Sequence, residues 1–166
     1  MLRSIVTFAL VALLTTLASP AHAASDALLG QWVFDASRST FDGAMPYRSG
    51  RYTFTRTAGG VQVLAEIVEA NGQLLRFEYL DREDGSFVPV SGNPFYDSQS
   101  TAWVDSRTAV RTEQRQGQVT GTTTFSVCAD GRSYSARASR RLPNGRLYTS
   151  VIFWNRAQTA PGSRRQ

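Results

Sequence analysis

Glycine paired with asparagine, aspartate or a second glycine recurs along this chain at short, even intervals. The pairs are Gly59-Gly60, Asn71-Gly72, Asp84-Gly85, Asp130-Gly131 and Asn144-Gly145. They mark hairpin turns, of which type I′ needs the positive φ that Gly, Asn and Asp tolerate. Asp105-Ser106 and Gln116-Gly117 fill the long gap between the third and fourth pairs. The intervening segments, about 8–12 residues each, are rich in Val, Thr, Tyr, Phe and Ile. Several alternate: Val119, Gly121, Thr123, Phe125 and Val127 share one face, and Gln118, Thr120, Thr122, Thr124 and Ser126 the other. Tyr134, Ala136 and Ala138 likewise oppose Ser133, Ser135, Arg137 and Ser139. No window of helical length holds a sustained 3.6-residue apolar period. The pattern predicts an all-β chain, with strands near 29–35, 50–57, 61–69, 73–81, 86–90, 98–104, 107–115, 118–128, 132–141 and 146–156.

Strands joined in sequence by tight turns pair antiparallel with their neighbours. An open row of them leaves two unpaired edges, which closure removes. The expected architecture is therefore an antiparallel up-and-down meander closed into a barrel of about eight to ten strands, whose interior holds side chains or one small ligand. The last strand, Leu147 to Trp154, is apolar on both faces and is expected to meet core on each. One stretch interrupts the meander, Asp84-Gly85-Ser86-Phe87-Val88-Pro89-Val90-Ser91-Gly92-Asn93-Pro94-Phe95-Tyr96-Asp97. Pro89 offers no N–H and belongs at an edge or bulge. The stretch reads as a short strand followed by a barrel corner or mouth loop, with Phe95 and Tyr96 placed to lid that mouth.

Residues 1–23 are set apart from the fold. Met1-Leu2-Arg3 is a short positive start, Ser4 to Leu17 is uncharged and apolar, and Ala21-His22-Ala23 has the form a signal peptidase cleaves. The apolar run is shorter than the roughly 20 residues of a membrane span. Export to the periplasm or the exterior is expected, with residues 24–166 as one domain. His22 is the only histidine and would leave with the signal segment, so that domain has no histidine triad, proton shuttle or His-rich metal site. Glu66, Glu69, Glu78 and Glu113 leave a carboxylate-based hydrolase formally open, since acids can pair across strands, although carboxylates on a sheet more commonly face water. Cys128 is the single cysteine, which excludes an internal disulfide, and is expected to be a mostly buried, unpaired thiol. The chain has no lysine, and its arginines are spread along strands among acids, a pattern of solvated faces rather than of a nucleic-acid surface. No enzymatic activity, cofactor, metal or membrane span is expected.

Gly30-Gln31-Trp32 at the start of the first strand resembles the Gly-x-Trp opening of the lipocalin and wider calycin superfamily. From Leu28 to Arg156 the chain is similar to small exported lipocalin-like proteins of bacteria. Their opening corresponds to Gly30-Gln31-Trp32-Val33-Phe34-Asp35-Ala36-Ser37-Arg38-Ser39-Thr40-Phe41, with Asp35 where the pattern has Asn. Their central segment corresponds to Asp84 to Pro94, with Val88 in place of an aromatic, and their late hairpin to Cys128-Ala129-Asp130-Gly131-Arg132. The resemblance implies that Trp32 lies across the barrel floor with a late arginine over its face. Arg156 is the best placed for this, with Arg140 and Arg141 as alternatives. The other end is then the ligand mouth.

The expected function is to bind a small, apolar or amphipathic molecule inside the barrel. Its contacts are the aromatics at alternating strand positions: Tyr52, Phe54, Phe77, Tyr79, Trp103, Phe125 and Tyr134. The alternative is a non-enzymatic envelope protein acting through its surface as an inhibitor or assembly factor. Its contacts would come from mouth loops Phe41 to Ser49 and Gly92 to Ser100.

Overall fold

The computed structural model describes residues 26–42, 47–142 and 144–158. The expected signal segment, residues 1–23, lies outside them, as does the tip of the loop after Phe41. A 3₁₀ helix, Asp26–Leu28, leads into ten strands: β1 Gly30–Phe41, β2 Tyr47–Thr57, β3 Gly60–Glu69, β4 Leu74–Asp81, β5 Val88–Pro89, β6 Ser98–Trp103, β7 Thr108–Arg115, β8 Gln118–Val127, β9 Ser133–Arg141 and β10 Leu147–Arg156. There is no α-helix among the described residues. The strands lie in the order β4-β3-β2-β1-β10-β9-β8-β7-β6-β5, all antiparallel. The first and last strands thus meet in the middle of the sheet, and its outer strands curl round to face each other.

Closure is completed at one bridge. Glu78 N donates to Ser91 O and Ser91 N to Glu78 O, each at 3.0 Å. Pro89 precedes this seam, in a strand of two residues that pairs through its ladder with β6 alone. Gly92 follows it, with φ +85° and its Cα so close to β4 that a Cβ would lie 2.4 Å from the Arg76 carbonyl oxygen. Gly92→Ala is therefore expected to push the seam apart and lower stability by about 1–3 kcal/mol. Hydrogen exchange checks this, because the amides of Glu78 and Ser91 should exchange faster in the variant. Unchanged protection at both would show that the seam tolerates a side chain there.

The hairpins fall where the dipeptides placed them, but with other turn chemistry. Only Gln116-Gly117 has positive φ at both residues (52° and 76°). At Asn71-Gly72, Asp84-Gly85 and Asp130-Gly131 the glycine alone is left-handed. The Asx oxygen there caps the backbone two residues on, as in Asp130 Oδ1 accepting from Arg132 N at 2.9 Å. These sequences make wider loops than a two-residue turn.

The first and last strands depart further from expectation. β1 runs on to Phe41 because a bulge between Asp35 and Thr40 restores its pairing with β10. Side chains replace the missing ladder bonds: Ser37 Oγ donates to Asp35 Oδ1 (2.6 Å), and Phe153 N donates to Ser39 Oγ (3.0 Å). β10 buries only Tyr148, Ser150, Ile152 and Trp154, so the expectation of core on both faces is corrected. Val151 and Phe153 point outward and are half-buried, the Phe153 ring under the Arg38 guanidinium at 4.1 Å. Cys128 is a second correction. Val127, the last residue of β8, faces the core, so alternation turns Cys128 outward, where it is exposed beside the Ser133 hydroxyl at 3.1 Å.

Candidate binding site

One barrel end is a closed floor. Trp32 is fully buried, donates its indole N–H to the Leu28 carbonyl (2.7 Å), and meets the Tyr134 ring edge-on at 4.9 Å. The Arg156 guanidinium lies over the indole at 4.2 Å. It also donates to the carbonyls of Gly131, Leu29 and Ala27 at 2.8, 2.6 and 3.0 Å. The leading 3₁₀ turn and the β8–β9 hairpin are so tied to the last strand. The alternatives Arg140 and Arg141 end β9 at the opposite end of the barrel, and neither reaches this floor.

The seven aromatics expected to touch a ligand all lie on the inner face, and six of them are buried; Trp103 packs partly buried at the core edge. They touch one another. Tyr52 stacks on Phe54 (5.8 Å) and meets Phe77 (6.0 Å) and Trp154 (4.7 Å), and Tyr134 joins Phe54, Phe125 and Trp154. The voids among them are small, and a pair of them measure about 30 Å³ each. One is lined by Leu28, Phe54, Tyr79, Thr101 and Trp103; the other by Tyr52, Arg111, Thr123, Tyr134 and Arg140. Each has room for a water or two rather than a ligand.

Above the aromatic floor, the inner face turns ionic. Alternation on β7 puts Arg111 and Glu113 on the same inward row as Ala109, both almost wholly buried. Arg111 Nε and Nη2 approach Glu113 Oε1 at 3.0 and 2.8 Å. Arg140 reaches the same carboxylate from β9, Nη2 at 2.8 Å and Nε on the other oxygen. Thr123 Oγ1 donates to Glu113 Oε1 at 3.2 Å. The reach across β8 depends on Gly121, which pairs with Glu113 on one side and Arg140 on the other. A Cβ there would meet Arg140 Cγ at 2.5 Å. Burial opposes the charge on Glu113, but the two guanidinia and these hydrogen bonds outweigh it and hold its carboxyl down at about 2. One carboxylate between two guanidinia leaves the cluster with an uncompensated positive charge.

Tyr96 closes the mouth above this cluster. Its ring is buried against Phe77 (6.2 Å) and lies 5.5 and 5.7 Å from the Arg111 and Arg140 guanidinia. Burial pushes its phenol well above the usual value, which keeps it neutral. The loop is latched by Val90 N to Asp97 O (2.8 Å), Asp97 N to Gln114 O (3.0 Å) and Arg115 Nη1 to Pro94 O. Of the expected aromatic pair, Tyr96 is therefore the lid, and Phe95 points outward, half exposed. The Tyr79 phenol lies beside Gln99 and Arg111. Even so, no well-formed hydrogen bond reaches either end of the buried Gln99 amide, Arg111 Nη1, Tyr96 Oη or Ser150 Oγ.

Arg111, Glu113 and Gln99 were not among the expected contacts, although Glu113 was a hydrolysis candidate. Register hid them: counting back from Gln116-Gly117 sets Glu113 opposite Thr120 on the outward row of β8, and only the bulge moves it opposite Gly121 on the inward row. Of the other three carboxylates, Glu66 lies outside, 3.9 Å from Arg76, Glu78 is exposed at the seam and Glu69 ends β3 at the mouth. No pair of these four faces the interior. Among the described residues no group of His, Cys, Asp and Glu is arranged to hold a metal, and no helix is long and apolar enough to cross a membrane.

The fold is a lipocalin-like barrel, an antiparallel meander closed at the Glu78–Ser91 bridge. No family model and no curated protein matches the chain. Three solved structures are similar over most of its length. A redesigned β-barrel, mFAP1, bound to DFHBI is 12% identical, with 80% of this chain and 98% of that one covered and a TM-score of 0.45. The zebrafish ileal bile acid-binding protein complexed with cholic acid is 8% identical, with 79% and 99% covered and a TM-score of 0.48. The siderocalin Ex-FABP, described as having dual ligand specificities, is 10% identical, with 81% and 78% covered and a TM-score of 0.37.

Proposed function

We propose that this chain is an exported lipocalin-like protein that binds a small, partly apolar molecule inside its barrel, in the periplasm or outside the cell. One observation carries the reading: the unpartnered set of Gln99, Arg111 Nη1 and Tyr96 Oη inside an aromatic chamber. A buried polar atom without a partner costs about 1–3 kcal/mol, so a core built for stability alone would leave none clustered here. A ligand with an apolar body and a polar end would rest on Tyr52, Phe77, Phe125 and Tyr134 and hydrogen-bond to that set. Its volume comes from Tyr96, a large interior side chain supplied by a loop and not by a strand. Binding on this reading moves Tyr96 out.

Native mass spectrometry of the protein purified from its own envelope tests this. A small molecule retained in the native spectrum and released on denaturation is expected, with higher occupancy in Tyr96→Ala. An empty barrel in both proteins would remove the reading. The surface-acting alternative is favoured by one placement: the described parts of both candidate loops, residues 41–42, 47–49 and 92–100, lie at the same end of the barrel. Its signature in the same experiment is a co-purified protein.

A further inference from the structure

A concavity larger than either interior void lies outside the barrel. It is an open groove of about 590 Å³ on the outer rim of the mouth, within the size range of small-molecule sites. Phe95, Val119 and Leu142 give it an apolar bed, and Arg115, Arg140 and Arg141 border it. Val119 explains why the bed exists. The alternation of β8 places Val119 on the inward row, but a bulge sets Glu113 opposite Gly121 and Gln114 opposite Val119. The extra residue, Thr120, throws Val119 off that row and onto the rim, 61% exposed.

We propose that this groove is a separate binding site for a free amphiphilic carboxylate. The charge around it supports an anion. No carboxylate lines the groove. The nearby acids are engaged elsewhere: Glu113 is held by Arg111 and Arg140, and Asp97 Oδ2 accepts from Gln116 N at 2.8 Å. The two exposed guanidinia are each anchored at one nitrogen, Arg115 to Pro94 O and Arg141 to Gly145 O (3.0 Å), which fixes them in place. That geometry leaves further N–H groups of each fork for a carboxylate. An acyl chain then lies along Phe95, Val119 and Leu142, where it removes apolar surface from water on both sides. The groove is outside the barrel, so the proposal stands whether or not the interior takes a ligand.

Calorimetric titration with dodecanoate, kept below micelle formation, is the test. Saturable binding is expected, weakened by salt and weakened about tenfold or more by either Arg141→Glu or Val119→Glu. Both positions are exposed, so the variants should melt with the wild type. Dodecanoate should also shift the amide resonances of residues 115–120 and 141–142. Affinity unchanged in both variants, shifts confined to Arg111, Thr123 and Tyr134, or no binding up to the solubility limit would each overturn the proposal. The second of these results would place the acid in the barrel and so favour the interior reading instead.

Discussion

Glu113→Gln is expected to cost about 3–5 kcal/mol of folding stability, the range for removing one partner of a buried ion pair. The carboxylate is fully enclosed and is the shared acceptor for Arg111, Arg140 and Thr123. An amide of the same size leaves two guanidinia near each other with no counter-charge, and it turns a donor toward Arg140. Acid should reproduce part of the loss in the wild type. The carboxyl titrates at about 2 in the folded chain against an ordinary 4.5. A depressed value means the unfolded chain binds the proton more tightly. The stabilisation is therefore complete above about pH 4.5 and is lost as pH falls toward 2, amounting to roughly 3 kcal/mol. Urea denaturation at stepped pH values checks both statements, and Glu113→Gln should flatten the acid limb. A variant as stable as wild type at neutral pH, or with the same acid limb, would mean that the cluster is not held by this charge.

This cluster also marks where sequence reasoning ended. Hairpin dipeptides and alternation set the strands and their order because turns and β-pairing are local, and all ten expected strands are present. Which residues share the interior is a register question across strands, and register slips wherever a bulge inserts a residue. Val119 left its predicted face through such a bulge. Arg111 and Glu113 look like solvent residues by type, and only pairing with the row of Gly121, Thr123 and Phe125 reveals that they point inward. Gly121 was visible but mute: its purpose is to let Arg140 cross, and Arg140 lies in another hairpin. Tyr96 was read as a lid because adjacent aromatics in a loop must cover something, an argument from burial that needs no register. Glu66 and Glu78 lie on the outer face of neighbouring strands, so of the four carboxylates left open for hydrolysis these two face away from the interior.

Trp32→Ala is expected to cost about 3–5 kcal/mol, and Arg156→Ala about 1–3 kcal/mol. The tryptophan loss has two parts. Removing a fully buried indole leaves a void against Tyr134 that strands on every side keep from collapsing, and it removes the donor to the Leu28 carbonyl. Arg156 acts at the surface of the same floor, so its loss is smaller but has a distinct signature. Its side chain binds carbonyls of the leading 3₁₀ segment and of the β8–β9 hairpin at once, while its plane lies over the indole. Lysine offers a point charge and no fork, so Arg156→Lys should keep part of the attraction to the ring and lose most of the three-way tie. The order of stability should then be wild type, Arg156→Lys, Arg156→Ala, Trp32→Ala, read from urea denaturation under one set of conditions. The floor lies opposite the mouth, so Arg156→Ala should still bind dodecanoate at the rim with wild-type affinity. A lysine variant equal to wild type would show that only the charge over Trp32 matters and that the carbonyl contacts are incidental.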